Sequence, residues 1–260
     1  MHVVQALSVV ALTLISCMAW RPQAAPVARR AAHWKHPGVL ALETGGNFEG
    51  DILRPTNIST DRNAVTEKDE LWPGGVIPYV IDAKLNRSTK KILKVMADIE
   101  SQTCLRFVAR RRQKNYVSIT RGDGCNSIVG RAGGAQEVSL GTHCLYQGTI
   151  AHELMHAAGF DHEHSRSDRD EYIDVFTKNV EPENVEQFEK LAPWKNRLLT
   201  PFDMDSIMLY GSATFARKPG LVTMLAKDGG RLKEVYQKRG LSASDVRRIN
   251  MLYQCKNKKI

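Results

Sequence analysis

The sequence predicts an α+β domain: a small mixed sheet with helices in its first half, a loop-rich second half, and a cleft between two lobes. Three observations carry this. Short β-like runs and two helix-patterned stretches fill residues 76 to 159, the stretch from about 165 to 240 lacks periodicity, and one more helix-patterned run follows it. No internal repeat is present.

Residues 1–19 read as a secretory signal. The uncharged apolar run from Val3 to Ala19 is too short and too early for a membrane span, and Cys17-Met18-Ala19 offers a small-residue cleavage site. No Lys or Arg precedes the run, so an uncleaved N-terminal anchor is the alternative. Residues 20–62 are rich in Ala, Pro, Gly and polar residues without sustained periodicity, which predicts an exposed pro-segment or linker. Regular pattern begins at LWPGGVIPYVID, where residues 76–81 suggest a strand entered through a Gly-Gly turn; Pro78 argues for an edge position. Ser88 is a candidate cap for the next element, a helix whose Ile92, Met96 and Ile99 share one face. Strand-like runs follow at 105–108, 116–120 and 137–140. GTIAHELMHAAG is helical in character, with Gly159 as its stop. In LSASDVRRINMLYQC, Ser242 and Asp245 make a capping box, and Val246, Ile249 and Tyr253 an apolar stripe.

The chain has 260 residues and a net charge of +9, enough length for one domain plus extra segments. Its Lys and Arg are dispersed, and Arg110-Arg111-Arg112 lacks interleaved aromatics, which argues against a nucleic-acid partner. No later stretch is apolar enough to span a bilayer, so no membrane partner is expected. Of the five cysteines, Cys17 lies in the signal, leaving Cys104, Cys125, Cys144 and Cys255. An even number in an exported chain suggests two disulfides, with three connectivities open. The absence of any C-x-x-C pair disfavours a four-thiolate zinc site. Asn57 and Asn86 head glycosylation sequons.

The stretch HELMHAAGFDHEH, residues 152–164, carries the chemistry. His152 and His156 lie four apart on the predicted helix, so their imidazoles project from one face and can chelate zinc. A catalytic site needs a third ligand, and Gly159 permits a turn that returns His162 to the same metal. His164 is read as a bystander. Glu153 follows the first ligand and is placed to accept a proton from a polarised water and deliver it to a leaving amine. The G-x-x-H extension makes a chance match roughly a thousandfold rarer than HExxH alone. HExxHxxGxxH is the metzincin signature.

Through His152-Glu153-Leu154-Met155-His156-Ala157-Ala158-Gly159-Phe160-Asp161-His162-Glu163 and on to Arg166, Asp168, Arg169 and Asp170, the chain resembles the astacin family of secreted zinc endopeptidases, with Glu163 after the third histidine setting it apart from other metzincins. The resemblance runs from about Asn47 to Cys255. It implies a zincin-like two-lobed domain, with a mixed sheet and active-site helix in the N-terminal lobe and a loop-rich C-terminal lobe, binding one Zn2+ through His152, His156 and His162. It implies Glu153 as base, Met208 as the apolar floor of a Met-turn, and Tyr210 as a group that ligates zinc or stabilises an oxyanion. Where the family usually has His in that turn, this chain has Leu209. FEGDI resembles the latency segment, so Asp51 would ligate the metal in the proenzyme only. Cleavage after Arg62 would leave 260 − 62 = 198 residues, residues 63–260, whose new Asn63 amine could reach Glu163. The resemblance also selects Cys104–Cys255 and Cys125–Cys144, and makes EVSL the edge that pairs with substrate.

The expectation is therefore a secreted, monomeric zinc endopeptidase made as a latent zymogen, with an activating protease and protein or peptide substrates as partners. The competing reading, favoured only by Leu209, is a secreted interaction or toxin-like module on a catalytically weak protease scaffold.

Overall fold

Residues 34–44, 46–54 and 68–255 are described by a computed structural model of the chain. In chain order they form α1 (Pro37–Glu43), β1 (Ile52–Leu53), β2 (Val76–Ile81), α2 (Thr89–Gln102), β3 (Arg106–Ala109), β4 (Tyr116–Thr120), β5 (Cys125–Ile128), β6 (Ala135–Leu140), α3 (Gln147–Ala157), β7 (Ile173–Val175), β8 (Met224–Ala226) and α4 (Ala243–Leu252), joined by loops and 3-10 turns. The larger sheet runs β1-β5-β6-β4-β2-β3, with β5–β6 antiparallel and the other pairs parallel; β7 and β8 form a separate antiparallel pair.

The core follows from side-chain periodicity. Ile92, Val95, Met96 and Ile99 line one face of α2 and are buried with Ile77, Val117, Ile119, Val138 and Leu140 of the sheet and Ile150, Leu154 and Met155 of α3. Burying each such side chain is worth about 1.5–3 kcal/mol. Beyond the sheet, Ser242 and Asp245 form a reciprocal capping box on α4, as the sequence pattern predicts. Cys104–Cys255 ties the end of α2 to the chain after α4, and Cys125–Cys144 ties β5 to the segment ahead of α3.

Helix α3 is fixed at both ends. Near its start, a Cβ on Gly148 would stand 2.1 Å from the Val235 carbonyl oxygen and 2.5 Å from that of Lys238, so only glycine lets α3 lie on the 3-10 turn Val235–Gln237. At its end Gly159 adopts φ +105°, which reverses the chain, and the Trp72 indole donates to the Ala157 carbonyl at 2.8 Å.

Three expectations are corrected. Residues 36–53 are not an exposed linker throughout: α1 and β1 dock on the domain, burying Val39, Leu42, Asp51 and Ile52. Pro78 is not on an edge strand, because β2 lies between β4 and β3; the β4 ladder begins only at Tyr79, and Pro78 has β3 alone beside it. EVSL is no edge either. It lies within β6, covered on one side by β4 and on the other by β5, which in turn carries β1. Residues 1–19, the Arg62 junction and Asn57 lie outside the described residues; Asn86 is exposed. No described helix is long and apolar enough to cross a membrane.

Candidate active site

Three imidazoles meet at the centre of the domain. His152 and His156 project from α3 one turn apart, and the reversal at Gly159 brings His162 opposite them. Their Nε2 atoms lie 3.1 Å (His152 to His156) and 3.2 Å (His152 to His162) apart. Each Nδ1 faces an acceptor and therefore donates: His152 to the Ile207 carbonyl at 2.8 Å, His156 to the Phe160 carbonyl at 2.7 Å, and His162 to the Glu49 carboxylate at 2.5 Å. That fixes Nδ1 as a donor on each ring and turns the three Nε2 atoms toward one point.

Asp51 completes the set. Its Oδ2 is 2.9 Å from His152 Nε2, and its Oδ1 is 3.2 Å from His162 Nε2 and 3.4 Å from His156 Nε2. A tetrahedral zinc with bonds of 2.0–2.1 Å has donor–donor edges of about 3.3–3.4 Å. Three nitrogens and one carboxylate at this spacing fit that ion, and the four residues could hold one zinc. The carboxylate arrives on a tight turn. Glu49 and Gly50 adopt positive φ, and a Cβ on Gly50 would meet the Leu42 carbonyl oxygen at 2.6 Å, so glycine is required there. The Ser127 amide donates to the Asp51 carbonyl at 2.9 Å and pins the turn to β5.

The electrostatics favour a cation. Burial alone would raise Asp51, but the three imidazoles outweigh it and hold the carboxyl well below its usual range. Burial pulls His152 down to about 4, whereas Asp51 and Glu49 overcome burial at His162 and push it up to about 10.

Glu153 sits beside this cluster, fully buried, and neither carboxylate oxygen has a hydrogen-bond partner among the described residues. Burial, followed by the charge of Asp51, raises its pKa well above the usual value. A buried, unpartnered carboxyl is costly to fold and is the type of group that serves proton transfer. Tyr210 stacks on His152 and His164, and its hydroxyl donates to the Glu49 carbonyl at 2.9 Å. Burial and then Asp51 raise its pKa far above the usual phenol, so it stays a donor.

The turn Ser206–Leu209 forms the floor. Met208 is fully buried, the Ile207 carbonyl accepts from His152, and the Met208 carbonyl accepts from the Glu163 amide at 3.0 Å. Asp245 of α4 accepts from Ser206 Oγ and the Ile207 amide, both at 2.8 Å. The Leu209 side chain offers no polar group and is buried; its carbonyl accepts from Lys238 Nζ at 2.5 Å. Glu163 is buried between Arg166 at 3.1 Å and Arg248, and also accepts from the Asp203 amide at 2.9 Å. Asn63 is outside the described residues. His164 is not one of the four residues of the set that Asp51 completes; its ring stacks on His162 with centroids 5.0 Å apart, and its Nε2 donates to the Gln187 carbonyl at 3.3 Å.

Sequence reasoning missed Glu49, Lys238 and Arg248. Glu49 binds His162, accepts from Ser165 Oγ at 2.6 Å and has its own amide held by Gln187 at 2.5 Å. Only its position two residues before Asp51 hinted at it. No local pattern marks Lys238 or Arg248.

Residues 64–254 match the family model described as Astacin, a peptidase family. Among curated relatives, the chain is 42% identical over 212 residues to astacin-like metalloprotease toxin 1 of Loxosceles intermedia, covering 80% of each. It is 39% identical over 226 residues to zinc metalloproteinase nas-6 of Caenorhabditis elegans, covering 84% of this chain and 65% of that one. Among solved structures, high choriolytic enzyme 1, a hatching enzyme zinc-protease of Oryzias latipes, superposes with a TM-score of 0.65 at 35% identity, covering 79% of this chain and all of that one (100%). The chain belongs to the astacin family and is a zinc metalloendopeptidase.

Proposed function

We propose that the chain is the secreted, latent precursor of this endopeptidase: a signal over residues 1–19, an inhibitory segment over 20–62, and a peptidase domain over 63–260 that an activating protease releases by cutting after about Arg62. The single observation that carries latency is Asp51, whose carboxylate stands with its two oxygens 2.9–3.4 Å from all three Nε2 atoms. In that position it would serve as fourth ligand to a zinc that His152, His156 and His162 would hold, and would take the place of water there. The same segment keeps Tyr210 engaged through Glu49 and covers the backbone edge of β5 through β1.

When bound, zinc supplies a Lewis acid and lowers the pKa of a coordinated water to about 7. The chain's own residues do the rest. Glu153 takes a proton from the attacking water and gives it to the leaving amine, a role for which its raised pKa and lack of a competing partner suit it. Tyr210, once free of Glu49, donates to the developing oxyanion. Met208 and the turn around it keep the His152 and His162 rings in register. The uncovered edge of β5, with the Ser127 amide free to donate, holds an extended protein or peptide substrate by main-chain pairing. Glu163 receives the new amine of Asn63. Two disulfides and the apolar N-terminal run support secretion, and the enzyme acts as a monomer.

The test is casein hydrolysis by the zinc-loaded full-length chain, before and after cleavage at Arg62, with and without a chelator. Latency fails if both forms turn over equally. The peptidase assignment of these residues fails if chelation leaves the rate unchanged.

A further inference from the structure

The inhibitory segment is anchored a second time, away from Asp51. The His36 ring lies flat on Tyr236, with centroids 3.8 Å apart and an interplanar angle of 7°, while Tyr146 closes the side at 5.8 Å from His36 and 5.4 Å from Tyr236. His36 Nδ1 accepts from the Gly38 amide at 3.0 Å, so the contact is ring-on-ring stacking. A Cβ on Gly38 would come within 3.0–3.1 Å of both tyrosines, so the backbone beside the ring also approaches them closely.

The two phenols belong to the peptidase domain and are carried by elements that pack on each other. Tyr146 is the N-cap residue of α3, and Tyr236 is in the 3-10 turn against which Gly148 packs α3. Six residues separate Tyr146 from His152, about 9 Å along a helix. An extended peptide covers that distance in about three residues. Removal of residues up to Arg62 would leave two pre-positioned aromatic faces within reach of a bound substrate.

We propose that Tyr146 and Tyr236 form a side-chain subsite of the processed enzyme, about three residues from the bond being cut, that takes a flat π-bearing side chain, histidine foremost, and that His36 fills it in the full-length chain. The inference rests on the reading of residues 20–62 as a removable segment. The occupant is the one the chain itself displays: a ring thin enough to lie on Tyr236 beside Tyr146.

The experiment uses the Arg62-cleaved, zinc-loaded enzyme and internally quenched peptides in which His, Phe, Leu or Ala is moved through four positions on each side of the cut bond. At one position about three residues away, His and Phe should raise kcat/KM about three- to tenfold over Leu and Ala, the size expected of a stacked ring pair. In Tyr236→Ala the ratio of His to Ala peptide at that position should fall to about one, and Tyr146→Leu gives the same readout should the first variant fail to fold. Binding of a labelled peptide of residues 34–44 to cleaved protein, about tenfold weaker for its His36→Ala form, reads the subsite without turnover. A Leu peptide as good as His at every position, a preference that survives both variants, or equal binding of the two labelled peptides would overturn the proposal. Latency is read separately, from full-length against cleaved activity, so either reading can fail alone.

Discussion

The Lys238 ammonium donates to the Leu209 carbonyl at 2.5 Å and to the Ser206 carbonyl at 2.6 Å, bridging the two ends of the turn that supports the histidines. The Leu209 amide closes the same turn onto Ser206 at 3.1 Å. Burial pulls this lysine down from 10.5 to about 8, with Asp245 and Glu234 opposing. Between those pH values the unfolded chain binds more protons than the folded one, so this group makes the fold more stable as pH rises. Relative to Lys238→Met, the wild-type protein should gain about 2 kcal/mol in unfolding free energy from pH 7.5 to 9.5. Urea denaturation of both proteins at both pH values checks this, and parallel pH profiles would refute it.

Asp51→Ala removes the carboxylate from the three Nε2 atoms while leaving α1 and β1 to dock. The full-length variant should hydrolyse peptide at a rate about tenfold or more above the full-length wild type, because the fourth position opens to water. A variant as silent as its parent would mean that the docked segment blocks the cleft without Asp51.

Glu153→Gln keeps size and burial but loses the proton acceptor. The cleaved variant should retain zinc by atomic absorption and lose roughly 10²- to 10⁴-fold in kcat. Conversely, chelation should lower the Tm of the wild type: free zinc at a hundred times its Kd contributes about 2.7 kcal/mol. Calorimetry with and without chelator measures that difference, and an unmoved transition would contradict zinc binding at the folded site.

Gly148→Ala would push a methyl carbon into two backbone carbonyls at 2.1 and 2.5 Å, neither of which can rotate away. Shifting α3 off the Val235–Gln237 turn should cost at least about 3 kcal/mol. The variant's denaturation midpoint checks the magnitude, and a loss under about 1 kcal/mol would show that the turn yields readily.

Much of the fold was legible because its periodicities are long and clean. YVSIT coincides with β4, residues 76–81 with β2, and the Ile92-Met96-Ile99 face with the buried side of α2. The histidines were legible because four- and six-residue spacings around one glycine are local geometry. What escaped was short or distant. α1 spans seven residues, too few to establish a period, and β1 only two. β5 hides behind Asn126 and Ser127, polar residues that are nevertheless buried between neighbouring elements. Lys238, Asp245 and Arg248 reach the floor of the site from 29 to 42 residues away, through hydrogen bonds that no short pattern encodes.

The turn at Glu49–Asp51 touches five residues of the site at once: the Asp51 carboxylate meets His152, His156 and His162, its carbonyl meets Ser127, and Glu49 meets Tyr210 and, again, His162. Because Gly50 locks these contacts into one small rigid unit, they let go together. Under the proposed latency, the segment would leave the cleft in one cooperative, all-or-none step, with no half-open state in which the imidazoles are free while Tyr210 is still held.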